Sequence, residues 1–411
     1  MEARLLARIS TPLHACCIET YRPNDSSSSS SFACGLYQLE EASGEGSEVS
    51  RRGRVVLYDV VTGSELAAEE TEGGVLDMKW TSGSLLACAT SEGCLQLLQY
   101  GSGEGREEGV GPHCLRTVGT YRDKSERSNE EEEDEGMFLS LDWDLHQSQL
   151  LLPSDGERKI VVSTQQGSLK LFSLDSSSSS GGLRLLTTYS HEHMLSHQPV
   201  PAWIAAFNTH SQGTCFLSGG DDGVLKLFDI RSSSGSCVQM NRESHEAGVT
   251  AAQWHPEREN VFVTGSYDEQ LRVFDQRKLS APLTAARAKG GIWRVKWLRR
   301  RQIRKSQDGH SDEVIEDEGC CSEILAACMH AGAKVFRYSH DNSGSSNDNS
   351  LECVVSREGG SRSPQSNHLL YGIDDGKRLT SVGDEELSED VVISCSFYEN
   401  MIEIWRSEEV D

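Results

Sequence analysis

Two short groups in the last third of this 411-residue chain combine nucleophile-type and base-type side chains: Cys328-Met329-His330 and Ser394-Cys395-Ser396. A histidine can take a proton from water or a hydroxyl near neutral pH. A serine or cysteine beside such a base can attack a carbonyl and form a covalent ester. His330 is therefore a candidate general base, and Ser396 and Cys395 are candidate nucleophiles. Backbone N–H groups near Gly219-Gly220 are candidates to stabilise an oxyanion. A second set is aromatic and acidic: Asp221, Tyr267, Trp293, Tyr371 and Tyr398, with Trp203 placed similarly. Aromatic faces beside a carboxylate attract a quaternary ammonium by cation–π and charge attraction. The chain has no Gly-x-Ser-x-Gly elbow, no glycine-rich phosphate loop and no metal-ligand spacing, so no metal and no cofactor are expected.

These residues are far apart in sequence, and a repeat supplies the frame that can gather them. Val55-Val56-Leu57-Tyr58-Asp59, Leu95-Gln96-Leu97-Leu98, Leu169-Lys170-Leu171-Phe172, Leu225-Lys226-Leu227-Phe228-Asp229, Leu271-Arg272-Val273-Phe274-Asp275, Ala333-Lys334-Val335-Phe336 and Ile402-Glu403-Ile404-Trp405 are seven copies of one short strand. A second strand recurs between them, in Met78-Lys79-Trp80, Leu141-Asp142-Trp143, Ala205-Ala206-Phe207, Ala252-Gln253-Trp254 and Val295-Lys296-Trp297. Alternating apolar positions and β-branched residues suit a pleated sheet. The order predicts an all-β chain: a seven-bladed WD-repeat β-propeller, one domain over residues 1–411.

The last copy ends at Trp405, too near the end of the sequence to leave room for an outermost strand. Residues 3–11 alternate around Leu5, Leu6 and Ile9, and are predicted to supply that strand and close the ring. Blades two to seven are expected at about 73–100, 137–175, 196–231, 244–277, 290–338 and 368–405. Long disordered inserts are expected at about 40–52, 101–136, 176–182, 299–319 and 339–366, where Ser, Gly and Glu runs cannot support a packed core.

Register also assigns roles inside the blades. Asp222 and Asp268 occupy tight turns, and His197 and His245 lie ahead of the first strands. Each His is expected to join its turn Asp to Ser218 or Thr264 in a structural network. Asp221, Tyr267, Met329 and Tyr398 precede the turn acid and are expected to face the mouth of the central channel. His330 and Glu399 replace the turn Asp in blades six and seven, which is expected to break the network there and release His330.

The net charge of −25 opposes nucleic-acid binding, which needs a basic face, and favours a cationic partner. Thirteen cysteines without a C-x-x-C pair fit a reducing compartment rather than a disulfide framework. No apolar run is long enough to span a bilayer, and the first residues lack the apolar core of a signal peptide. A cytoplasmic monomer, free of membrane, is the expectation.

Ala202-Trp203-Ile204-Ala205-Ala206-Phe207-Asn208, Ser218-Gly219-Gly220-Asp221-Asp222-Gly223, Thr264-Gly265-Ser266-Tyr267-Asp268-Glu269, Gly290-Gly291-Ile292-Trp293-Arg294-Val295-Lys296-Trp297, Leu325-Ala326-Ala327-Cys328-Met329-His330 and Ser394-Cys395-Ser396-Phe397-Tyr398 are found in that order. Cys34-Gly35-Leu36-Tyr37-Gln38-Leu39 and Leu76-Asp77-Met78-Lys79-Trp80 precede them. In this series the chain resembles the WD-repeat diphthine methylesterases of diphthamide biosynthesis. The resemblance implies a hydrolase acting on elongation factor 2 that carries methylated diphthine, releasing methanol and leaving diphthine. That side chain bears a trimethylammonium group, which suits an acidic mouth lined with aromatic rings, and ester hydrolysis needs no cofactor. A different class of reading rests on Phe228-Asp229-Ile230-Arg231 and Phe274-Asp275-Gln276-Arg277. These look like the boxes by which non-catalytic WD-repeat substrate receptors dock on a cullin–RING ubiquitin-ligase adaptor.

Overall fold

The computed structural model describes residues 2–22, 31–40, 50–81, 83–102, 113–123, 136–144, 158–175, 182–232, 237–298, 303–304, 313–314, 321–340, 349–358, 368–382 and 385–408. Seven four-stranded antiparallel sheets form a β-propeller. Their first strands are His14–Tyr21, Val75–Trp80, Phe138–Trp143, Ala202–Phe207, Val249–Trp254, Arg294–Trp297 and Leu370–Val382. Each touches the next around a closed ring, with Leu370–Val382 returning to His14–Tyr21. The seven recurring apolar strands are the third strands of the blades. Strand Glu2–Ser10 pairs with Met401–Glu408, from Glu2 opposite Glu408 to Ser10 opposite Met401. It is the outermost strand of blade seven, so both ends of the chain share one sheet.

Apolar packing is divided among the blade interfaces. Val263 and Val273 of blade five meet Ile292, Val295, Trp297 and Ile324 of blade six, and each of the other interfaces has its own buried cluster. The recurring tryptophans stitch these wedges together. Indole N–H groups of Trp80, Trp143, Trp254 and Trp297 donate to the carbonyls of Glu19, Lys79, Ala206 and Gln253 on the preceding blade, at 3.2, 3.0, 3.2 and 3.1 Å. Carboxylates reach the other way: Asp77, Asp142 and Asp374 accept the N–H of Leu141, Phe207 and Thr20 on the following blade, at 3.1, 2.8 and 2.8 Å. A bond of this kind is worth about 1 kcal/mol net, more when its acceptor is charged.

Several expectations about the blades change. The stretch 101–136 holds strand His113–Arg122, the outer strand of blade two, and 339–366 holds Ser350–Arg357, the outer strand of blade six. Outer strands of blades three, four and five are Gly182–Tyr189, Gln239–Asn241 and Thr284–Arg287, each beyond the predicted blade end. An outer strand has only one sheet neighbour and a solvent-facing edge, so its sequence is polar and loses the apolar signature. Within 299–319, Ile303–Arg304 pairs with Glu313–Val314, and the edges of 40–52 and 176–182 belong to strands Ser31–Glu40, Ser50–Asp59 and Gly182–Tyr189. Residues 41–49, 103–112, 124–135, 176–181 and 305–312 lie outside the described residues.

The turn networks also differ. His193, not His197, bridges Asp222 at 2.9 Å and Ser218 at 2.8 Å. A short hairpin, Met194–Leu195 against Gln198–Pro199, separates it from the first strand and leaves His197 exposed at the hairpin turn. In blade five His245 bonds Thr264 at 2.9 Å, while Asp268 pairs with Arg272 at 2.8 Å. Blade seven keeps the acid–His half of the network: Glu399 is one methylene longer than Asp and reaches His368 Nδ1 at 2.8 Å, while His368 Nε2 is buried with no hydrogen-bond partner among the described residues.

Candidate functional site

The start of each first strand and the end of each second strand lie at one end of the ring. The pairs Ala202–Gly220, Val249–Ser266, Arg294–Ala327 and Leu370–Ser396 show this register. Six first strands carry a register shift there, at Cys16, Leu76, Leu139, Trp203, Thr250 and Tyr371. A β-bulge re-aims the extra residue out of the pleat. Trp293 holds the corresponding place just ahead of Arg294–Trp297. At these positions blades four, six and seven carry large rings, and blades one, two, three and five carry smaller side chains.

The rings form a continuous belt. Trp203 lies 5.4 Å from Trp293 and 6.1 Å from Tyr267, Tyr267 lies 6.0 Å from Trp293, and Trp293 lies 5.0 Å from Tyr371. Tyr371 continues to Phe397 at 5.3 Å, and Phe397 to Tyr398 at 5.0 Å. Asp221 is exposed at one end of the belt and accepts the indole N–H of Trp203 at 3.0 Å. Burial pushes the Tyr371 phenol up to about 12 and raises Tyr267 as well, with Tyr398 and Asp221 respectively adding to the effect. Both rings therefore stay neutral near pH 7. The indole N–H of Trp293 is buried with no acceptor among the described residues. Two glycines let Tyr267 enter the belt: a Cβ on Gly248 would stand 2.9 Å from an Asp221 oxygen and 3.2 Å from the Tyr267 ring, and one on Gly291 would stand 3.0 Å from the Met329 sulfur.

Beneath the belt, a paired charge cluster crosses the channel. Arg294 reaches from blade six to the Leu76 carbonyl at 3.2 Å and lies 3.6 Å from Asp77, its guanidinium 5.7 Å from the Trp293 ring centre. Lys296 bonds Glu19 at 2.5 Å and lies 3.6 Å from Asp374, which also meets Arg22 at 3.3 Å. Burial alone would raise the Asp77 carboxyl, but Lys79 and Arg294 outweigh it and hold it at about 2. Asp142 has backbone donors at close range and no salt-bridging cation at contact among the described residues, and burial raises it to about 7.

The structure brings Asp221, Tyr267, Trp293 and Tyr371 together and leaves Tyr398 on the rim, 53% exposed, joined to the belt through Phe397. His330 is exposed on the blade-six turn. Ser396 is buried, and its hydroxyl has no hydrogen-bond partner among the described residues. Cys395 must be removed from the candidate nucleophiles. It is fully buried in the cluster between blades seven and one, and its thiol points to the Ala15 carbonyl at 3.5 Å. Period-two alternation puts it on the opposite face from Ser396. Gly219 and Gly220 are also corrected: both lie in the sheet ladder, and the absence of side chains admits Val249 and His193.

His14 carries no sequence signal that marks it as part of the site. It heads the first strand of blade one and stacks on Phe397 at 4.7 Å, with Tyr398 at 6.0 Å. Its Nδ1 lies 2.6 Å from the Asn400 carboxamide oxygen and 3.0 Å from the Phe397 carbonyl. Blades one and seven are neighbours only because the ring closes, so no local pattern links these residues.

Residues 235–275 match the family model described as WD domain, G-beta repeat. The chain is similar to the diphthine methyltransferase of Homo sapiens, 30% identical over 328 residues, covering 74% of this chain and 62% of that protein. It thus spans less than two thirds of the human relative's length. A diphthine methyltransferase homolog of Dictyostelium discoideum is 25% identical over 409 residues, covering 91% of this chain and 92% of its own. A chain in the crystal structure of the mitotic checkpoint complex shares the fold, with a TM-score of 0.58, 14% identity, and 99% and 92% of the two chains covered.

Proposed function

We propose that this chain acts in diphthamide biosynthesis and hydrolyses the methyl ester of methylated diphthine on elongation factor 2, giving diphthine and methanol. The observation that carries the reading is the belt of Trp203, Tyr267, Trp293 and Tyr371 with Asp221 at its end. Neutral rings beside one carboxylate recognise a permanent cation that has no N–H to donate, which describes a trimethylammonium group. The similarity to proteins named diphthine methyltransferase supports the same substrate. That name describes the reverse change at the ester, and the products separate the two: hydrolysis consumes the methyl ester, methyl transfer creates it. Hydrolysis is favoured here because it needs only water and a base at the mouth, and His330 and His14 both lie at that end of the ring. Mass spectrometry of elongation factor 2 from cells lacking this chain tests the reading. Accumulated methyl ester is the expected result; unmethylated precursor would point to methyl transfer.

A second reading concerns the opposite end of the blades, where the third strands finish. Arg231 and Arg277 fold back on Asp229 and Asp275 in the same geometry, at 2.7 and 2.6 Å, and both are largely exposed. Two matching boxes on adjacent blades fit docking to a ubiquitin-ligase adaptor. Stoichiometric adaptor in a pull-down, lost when both arginines are replaced by alanine, is the outcome this reading requires.

A further inference from the structure

We infer that His14 is the general base of the reaction, acting through Nε2; this assignment rests on the ester-hydrolysis reading above. Nδ1 faces two oxygens, the Phe397 carbonyl and the Asn400 carboxamide. A carbonyl only accepts, so Nδ1 carries the hydrogen and donates to both. The neutral ring is thereby fixed as the tautomer whose lone pair sits on Nε2, which has no hydrogen-bond partner among the described residues. The orienting shell is complete. Phe397 stacks on the ring with planes 23° apart, and Asn400 adopts a positive φ of 50° that puts its carboxamide against Nδ1. Asparagine tolerates that conformation better than most residues. A fixed tautomer with one free basic nitrogen is what a general base needs, and a carboxamide partner sets it without adding charge.

Phe397 joins His14 to Tyr371 and so to the belt. A substrate with its ammonium on the belt presents its ester close by, because the two groups share one short chain. Nε2 takes a proton from water as the water oxygen attacks the ester carbonyl carbon, giving a tetrahedral oxyanion and an imidazolium. The imidazolium returns that proton to the methoxy oxygen as the C–O bond breaks. Methanol leaves, and the acid formed ionises to the carboxylate. His330 has no comparable orienting partner among the described residues; it is exposed on its turn.

The test uses the full chain and elongation factor 2 carrying the methyl ester, with methanol release as readout. His14→Gln and His14→Ala are expected to lower kcat roughly 100-fold or more with little change in KM. Added imidazole is expected to restore part of the His14→Ala rate, which a merely structural role would not allow. Asn400→Asp keeps the acceptor and adds charge, so it is expected to move the acidic limb of the kcat/KM profile to higher pH. A wild-type chain that releases methanol while both His14 variants keep full kcat overturns the assignment and leaves the esterase reading standing. An unshifted profile in Asn400→Asp likewise overturns it. A wild-type chain that releases no methanol overturns the esterase reading, and this assignment with it.

Discussion

Asp221→Asn isolates charge from shape in the mouth. The amide keeps an oxygen where the carboxylate accepts the Trp203 indole N–H at 3.0 Å, so the belt is held and only the negative charge is lost. A cation seated on Trp203 lies about 6 Å from that carboxylate, and Asp221 is exposed, so an effective dielectric between about 40 and 80 applies. The attraction is then roughly 0.7–1.4 kcal/mol, or about 3- to 10-fold in KM. Because the ammonium is not the reacting group, kcat should change little. The assay is methanol release at low and high salt; screening should shrink the difference between wild type and variant as salt rises. Tetramethylammonium should inhibit the variant more weakly by a similar factor, and neutral tert-butanol should not distinguish the two. An unchanged KM at low salt, or a loss confined to kcat, would refute charge recognition by Asp221.

Removing residues 2–10 strips blade seven of its outer strand and takes Arg8 from Glu403, a buried carboxylate it bonds at 2.9 Å. A lower and broader thermal transition is expected, and a melt identical to the full chain would show that the strand does not close the ring. Lys296→Met leaves Glu19 and Asp374 short of their shared cation and should cost about 3–5 kcal/mol by denaturant titration, nearer the low end because Lys79 still lies 3.8 Å from Glu19. The Asp77 carboxyl falls from 3.8 to about 2 in the fold, so its stabilisation is complete above about pH 4 and is lost as pH drops towards 2. Comparing wild type with Asp77→Asn across that window should show wild type losing its advantage on acidification, and a constant difference would contradict the assigned shift.

The propeller was legible because the third strand of a blade is flanked by two others and buried between neighbouring blades. Its apolar pattern therefore survives in copies such as Leu169-Lys170-Leu171-Phe172. The outer strands were hidden because one edge meets solvent, and Cys114-Leu115-Arg116-Thr117-Val118 reads like a loop. Turn register correctly gathered Asp221 and Tyr267 beside Trp293. The outward aim of Trp203 and Tyr371 depends on bulges, however, which alternation alone does not encode. Ser396 and Cys395 are both candidate nucleophiles by residue type, although alternation already places adjacent strand residues on opposite sides. His193 was hidden by a hairpin that lengthens the path to its strand. His14 was hidden by ring closure, which brings it to Asn400 from the other end of the chain.

In the proposed reaction water cleaves a methyl ester whose ammonium group sits on the belt. Incubating the purified chain with elongation factor 2 carrying methylated diphthine, in heavy-oxygen water, tests it most directly. Free methanol with ordinary oxygen and one heavy oxygen in the new carboxylate are expected, and both are abolished when Trp293 and Tyr371 are replaced by alanine. An ester left intact, or its formation from the free acid when a methyl donor is supplied, would contradict it.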